Sequence, residues 1–147
     1  MNARSLLIIG VFAFLVFLGN GGPGASRAPI PEAGFRFAMI EETEDRIEMT
    51  AGQREAMFAT GPGSIDEYGK QHCVKVDGQP DMLVIDVDSC NPEGLSKLSP
   101  IWQKALMRPR EEKKHWLIAS NGRTGYEGEL PKDIDATKAI LKRIAGK

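Results

Sequence analysis

Few residues in this chain are of types that do chemistry, and fewer are spaced for it. Cys73 and Cys90 are the only cysteines. An even pair permits a disulfide or a thiol centre in an oxidising compartment. Between them lies the apolar run Met82–Val87. Six extended residues span roughly 20 Å, far beyond the Cα separation of roughly 7 Å that a bridge tolerates. Two isolated thiols are therefore expected, with a bridged or atypical redox pair as the alternative. Asp86 and Asp88 form a D-x-D at the end of the apolar run. Such a pair can hold a divalent cation, but Asp86, Asp88, Asn91 and Glu93 lack the glycine and terminal glutamate of a calcium loop. As a phosphoryl-transfer nucleophile it lacks the further motifs and the larger chain such enzymes need. Strand-end capping is the plainer expectation, and a metal-binding module using Asp86 and Asp88 is a further alternative. His72 and His115 are not spaced as a local metal pair, and no serine sits in a nucleophile motif. The remaining candidates are acidic: Glu42, Glu44, Asp45 and Glu48 crowd one short loop.

Composition narrows the class. The chain has 147 residues, 41% of them hydrophobic and 27% charged, with formal net charge −1. That suits one small globular domain. It offers no broad basic field for nucleic acid. The only basic cluster, Arg108, Arg110, Lys113 and Lys114, is interrupted by Glu111 and Glu112 and reads as a solvated loop. Asn2-Ala3-Arg4 precedes thirteen uninterrupted apolar residues, Leu6–Leu18. As a helix that run spans roughly 20 Å, short of a bilayer core of about 30 Å and within the range of a signal-peptide apolar region. The small, helix-breaking residues that follow fit a cleaved export signal, and an uncleaved N-terminal anchor is the alternative. Either way the rest of the chain is expected outside the cytosol. It would be secreted, periplasmic or held on a membrane only through this segment. Residues 1–28 are assigned to this leader and its Gly-rich linker, and residues 33–147 to the domain.

The domain reads as alternating strands and helices. Phe35–Glu42 is a strand with Phe35, Phe37 and Met39 on one face and Ala38 and Ile40 on the other. Thr50/Gln53 and Ser64/Glu67 are capping boxes that start two helical pieces. Cys73–Val76 is extended and Asp77-Gly78 turns. Met82–Val87 is expected as a central strand buried on both faces. Leu95–Met107 follows as a helix with Pro100 in its first turn. His115–Ala119 and Thr124–Leu130 form a hairpin about Asn121-Gly122. The glycines of the return strand suggest an edge or a bulge. Asp133–Ile144 is an amphipathic helix. Crossover helices make the first two main strands parallel, and the last two are antiparallel.

That order, and the closing stretch HWLIASNGRTGYEGELPKDIDATKAILKRI, resemble the thioredoxin-like superfamily from Phe35 to Ile144. The resemblance implies a three-layer α/β/α domain on a mixed four-stranded sheet, β-α-β-α-β-β-α, behind the hydrophobic leader. It also implies a redox C-x-x-C between the first strand and its helix, where a helix N-terminus lowers the thiol pKa, and a cis-proline before the hairpin strand. This chain has Glu42–Thr50 at the first place, without cysteine, and Lys114-His115 at the second. Thiol–disulfide exchange of the family's kind is therefore not expected. The expected role is binding or scaffolding of a protein partner without a cofactor. In redox-active relatives these two places flank the substrate groove, so Glu42, Glu44, Asp45, Glu48 and His115 are the candidate partner-binding residues.

Overall fold

The structure is a computed structural model and describes residues 26–43 and 48–147. The leader up to Ala25, and Glu44 and Asp45 of the acidic loop, lie outside the described residues. Among the described residues no helix is long and apolar enough to cross a membrane.

Mixed α/β architecture is observed, with four α-helices among the described residues. Strand β1 is Ser26–Arg27 and β2 is Arg36–Glu41. Helices α1, Ala51–Phe58, and α2, Ile65–His72, come next. A small hairpin of β3, Lys75–Val76, and β4, Gln79–Pro80, turns at Asp77 and Gly78, both at positive φ. Then come β5, Met82–Asp86, a short 3-10 turn at Val87–Ser89, and α3, Pro100–Leu106. The chain closes with β6, Trp116–Ser120, β7, Thr124–Glu129, and α4, Ile134–Ala145.

The main sheet runs β1-β7-β6-β2-β5. β2 and β5 are parallel, in the register Phe37↔Met82, while β6 and β7 are antiparallel. Strand β2 lies between β6 and β5 and is buried at every residue. Period-2 alternation splits its side chains as expected. Phe37 and Met39, with Phe35 ahead of them, join Ala56, Met57, Ile65, Leu141 and Ile144 from α1, α2 and α4. Ala38 and Ile40 face Trp102, Ala105 and Leu106 of α3. Both faces of the sheet are thus covered by helices, which brings loops together at the carboxyl ends of β2 and β5.

Local chemistry explains the element starts. Thr50 and Gln53 form the reciprocal capping box at α1. Ser64 caps α2 by accepting from the Glu67 amide, but the Glu67 carboxylate accepts from Gln71 instead of closing the box. Pro100 occupies the first turn of α3.

Several expectations are corrected. Met82–Asp86 is not a central strand but the edge of the sheet, and Val84 is 45% exposed. An apolar run records that a strand is apolar, not that it has neighbours on both sides. Leu95 is buried in a series of turns, and the helix begins only at Pro100. Strand β7 is an edge over most of its length: β1 pairs with its outer side only at Gly125 and Thr124, and among the described residues no strand lies beside Tyr126–Glu129. The stretch read as linker therefore contributes a strand, and Ile30 behind it is only 2% exposed. The β6–β7 hairpin turns through Gly122 at φ +87°, while Asn121 acts through its side chain, accepting from the Arg123 and Thr124 amides.

Candidate functional site

The carboxyl ends of β2 and β5 and the start of β6 meet at one end of the sheet. β2 delivers Glu41, Glu42 and Thr43 there, β5 delivers Asp86, and the segment entering β6 delivers His115. The Glu42 amide donates to His115 Nδ1 at 3.1 Å. This bond joins the acidic loop to the segment before β6, so two places far apart in sequence form one surface. Accepting at Nδ1 leaves the His115 proton on Nε2. His115 is only 5% exposed and its Nε2 has no hydrogen-bond partner. Its carbonyl accepts from the Leu130 amide at 2.8 Å. His115 therefore shapes the loop from beneath, rather than offering a broad contact face.

Around it the acidic side chains differ in placement. Glu41 is buried, Glu42 half-buried, and Glu48 exposed at the far side of the loop. Thr43 Oγ1 donates to Asp86 Oδ2. Asp86 Oδ1 accepts from the Asp88 amide at 2.8 Å and caps the 3-10 turn. Both Asp86 oxygens are thus engaged in fixing strand ends. Among the described residues no group of three or more His, Cys, Asp or Glu is placed to hold a metal ion. Behind the loop, Thr50 Oγ1 donates to the Lys132 carbonyl at 2.6 Å and Gln53 Nε2 to the Leu130 carbonyl at 2.8 Å. These bonds anchor the start of α1 to the exit of β7.

Cys73 lies off this surface, whereas the Cys90 thiol reaches its edge, donating to the Asp86 carbonyl at 3.7 Å. Cys73 ends α2 and packs with Phe37 and Leu117, while Cys90 packs beneath α3 on the opposite face of the sheet. Both are free. Burial, helped by the charge of Asp81, pushes the Cys73 thiol up to about 12. Burial also raises Cys90, and the nearby Arg110 opposes that only in part. Low-pKa nucleophilic thiols need the reverse surroundings. His72 is remote from His115 and rests its ring on Tyr68, centroids 4.4 Å apart. The basic loop is less solvated than its composition implies. Arg108 donates to the Pro29 carbonyl and pairs with Glu127, and Arg110 donates to the Leu106 carbonyl.

Sequence reasoning missed one buried polar group. Arg36 Nε lies 2.9 Å from Asp81 Oδ2, with side chains 4% and 10% exposed. Trp102 Nε1 donates to the other Asp81 oxygen, and Arg36 Nη2 to the Ala33 carbonyl. The signal was the lone charge inside FRFAMI. A hollow of about 350 Å³ also lies between α2 and α4, walled by Ile65, Tyr68, Lys138 and Leu141. None of the sequence-derived candidates lines it. No family model, curated protein or solved structure matches the chain.

Proposed function

We propose that the chain is an exported, thioredoxin-like domain without a thiol redox site, and that it binds a protein partner through Glu42 and Glu48 at the end of the sheet, on a loop that the buried His115 supports from beneath. The observation that carries this reading is the Glu42 amide–His115 contact. It unites the two segments that the resemblance makes the walls of a substrate groove, with acidic side chains in place of thiols. The parallel pairing of β2 with β5 and the antiparallel β6–β7 hairpin support the thioredoxin-like arrangement. Export is supported by the order of charge, apolar run and small residues in the leader. The acidic loop suits a partner with basic side chains, and such attraction weakens with salt.

The test combines capture and chemistry. The partner cross-linked to the full chain in its native envelope is expected to be lost from a Glu42→Lys/Glu48→Lys variant. It should be retained by Cys73→Ser and Cys90→Ser. Insulin reduction by the wild type that disappears in either serine variant would overturn the proposal.

A further inference from the structure

The bond between the acidic loop and His115 fixes the charge of the ring. A ring nitrogen that accepts an N–H carries no proton, so the imidazole that receives the Glu42 amide at Nδ1 is neutral. A charged imidazole has a proton on both nitrogens and accepts at neither. Its Nδ1–H and the Glu42 N–H would then point at each other, and a buried donor without an acceptor is costly. The ring also has carboxylates across the sheet. Continuing the antiparallel register from Ile40↔Trp116 sets Glu41 opposite His115. The parallel register sets Asp86 opposite Glu41 on its other side. Alternation along the strands puts all three on the face that carries Phe37, Met39 and Leu117. Glu41 and His115 are each only 5% exposed. Carboxylate, carboxylate and imidazole thus form one row across β5, β2 and β6.

We propose that His115 is a proton-operated latch for the acidic loop. Neutral imidazole holds the Glu42 amide; imidazole that has taken a proton from solvent releases it and pairs with the Glu41 carboxylate. Imidazole is the side chain whose charge ordinarily changes between about pH 5 and 8, so the loop is held above that range and released below it. Among the described residues the other charged groups nearby are engaged elsewhere or lie outside the row. Asp86 is held by the Thr43 hydroxyl and the Asp88 amide. Lys114 is paired with Glu111 and Glu129. Arg54 and Glu55 of α1, Glu48 before it, and Lys132 and Asp133 after β7 are exposed. Release removes the fixed shape of the Glu42–Glu48 surface, so partner binding weakens in acid. That consequence rests on the partner reading above; the latch itself does not.

Amide exchange on the full chain tests the latch, with protection corrected for the intrinsic pH dependence of exchange. The Glu42 amide is expected to lose about tenfold in protection between about pH 8 and 5. The Leu130 amide is the internal control, because it donates to the His115 carbonyl at 2.8 Å, a bond indifferent to the charge of the ring. The midpoint of the Glu42 change should coincide with the titration of the His115 ring nitrogens, followed by NMR. His115→Asn keeps an acceptor near the Nδ1 position and takes up no proton, so it should hold the Glu42 amide at both ends of the range. Equal losses at Glu42 and Leu130 would overturn the proposal. So would a Glu42 midpoint displaced from the ring titration, or a ring that stays neutral throughout. These three outcomes are read on the wild type alone, whether or not the variant folds. A loss of protection that persists in folded His115→Asn would overturn it as well. Partner capture at the two pH values is a separate reading. Capture unchanged while the Glu42 amide opens would overturn the link to binding, and no capture at either pH would count against the partner reading alone.

Discussion

Cys73 has an ordinary thiol value of 9.0 when exposed, and burial in the folded protein carries it to about 12. At neutral pH the thiol is protonated in both states, and its contribution to stability is fully present. Above about 9 the unfolded chain ionises and the folded one does not, so that contribution is lost progressively as pH rises towards 12. Tyr68 and Tyr126 are also raised by burial and act in the same sense. The urea midpoint is therefore expected to fall between about pH 8.5 and 10.5, and to fall less in Cys73→Ala. Equal slopes for the two chains would show that Cys73 is not the buried thiol described. The isolation of the two cysteines was legible in their spacing about an apolar strand. The depth of Cys73 was not, because it depends on α2 closing over Phe37. Arg36 was partly legible, as a lone charge in an apolar strand. Its partner was not, because the parallel register Phe37↔Met82 is what sets Asp81 beside it. Such a buried pair adds little net stability as a unit, but either charge left alone costs several kcal/mol.

At the scale of elements, the local signals worked where the cause is local. Thr50 with Gln53, Ser64, Pro100 and Asp133 all start helices, because each satisfies or removes an orphan donor within one turn. The neighbours of a strand are not a local property, and β5 and β7 both show it. Met82–Val87 read as central from its apolar side chains alone, and β7 read as an edge or a bulge from its glycines, with no sign of the short cover that β1 gives its start. Gly125 is there for another reason. A Cβ at that position would lie 2.2 Å from Pro29 Cδ and 2.5 Å from the Ala119 carbonyl. The glycine lets β1 and the Pro29 segment close over β7. At Gly128 the nearest atom is the Tyr126 hydroxyl, at 3.0 Å and at the end of a side chain that can turn. Gly125→Ala is accordingly expected to cost about 1–3 kcal/mol, as overpacking against rigid neighbours does, and Gly128→Ala clearly less. Urea unfolding of the two variants measures the difference, and equal midpoints would refute the role given to Gly125.

At the scale of the whole molecule, the question is where the folded body begins. A Gly- and Pro-rich stretch carries no pattern, so its composition placed the boundary at 33. Packing places it earlier. Ile30 joins Ala38, Ile40 and Ile118 on the α3 face. Its carbonyl accepts from Ser120 Oγ at 2.6 Å, and the Pro29 carbonyl accepts from Arg108 at 2.8 Å. The segment thus ties the end of β6 and the loop after α3 to one strap, whose strand β1 covers the start of the outer edge of β7 at Thr124 and Gly125. Burying an isoleucine contributes about 1.5–3 kcal/mol, and each hydrogen bond about 1 kcal/mol net. A chain beginning at Ala33 is therefore expected to be about 3–5 kcal/mol less stable than one beginning at Ala25, with the loss read from urea denaturation. Amide exchange should locate it. Thr124 and Gly125 on β7 become fast in the shorter chain, while β2, buried between β5 and β6, stays slow. Coincident denaturation curves would mean that residues 26–32 only lie on the domain. A loss spread evenly over β2 and β6 would mean that the strap acts through the core as a whole, rather than by covering the β7 edge.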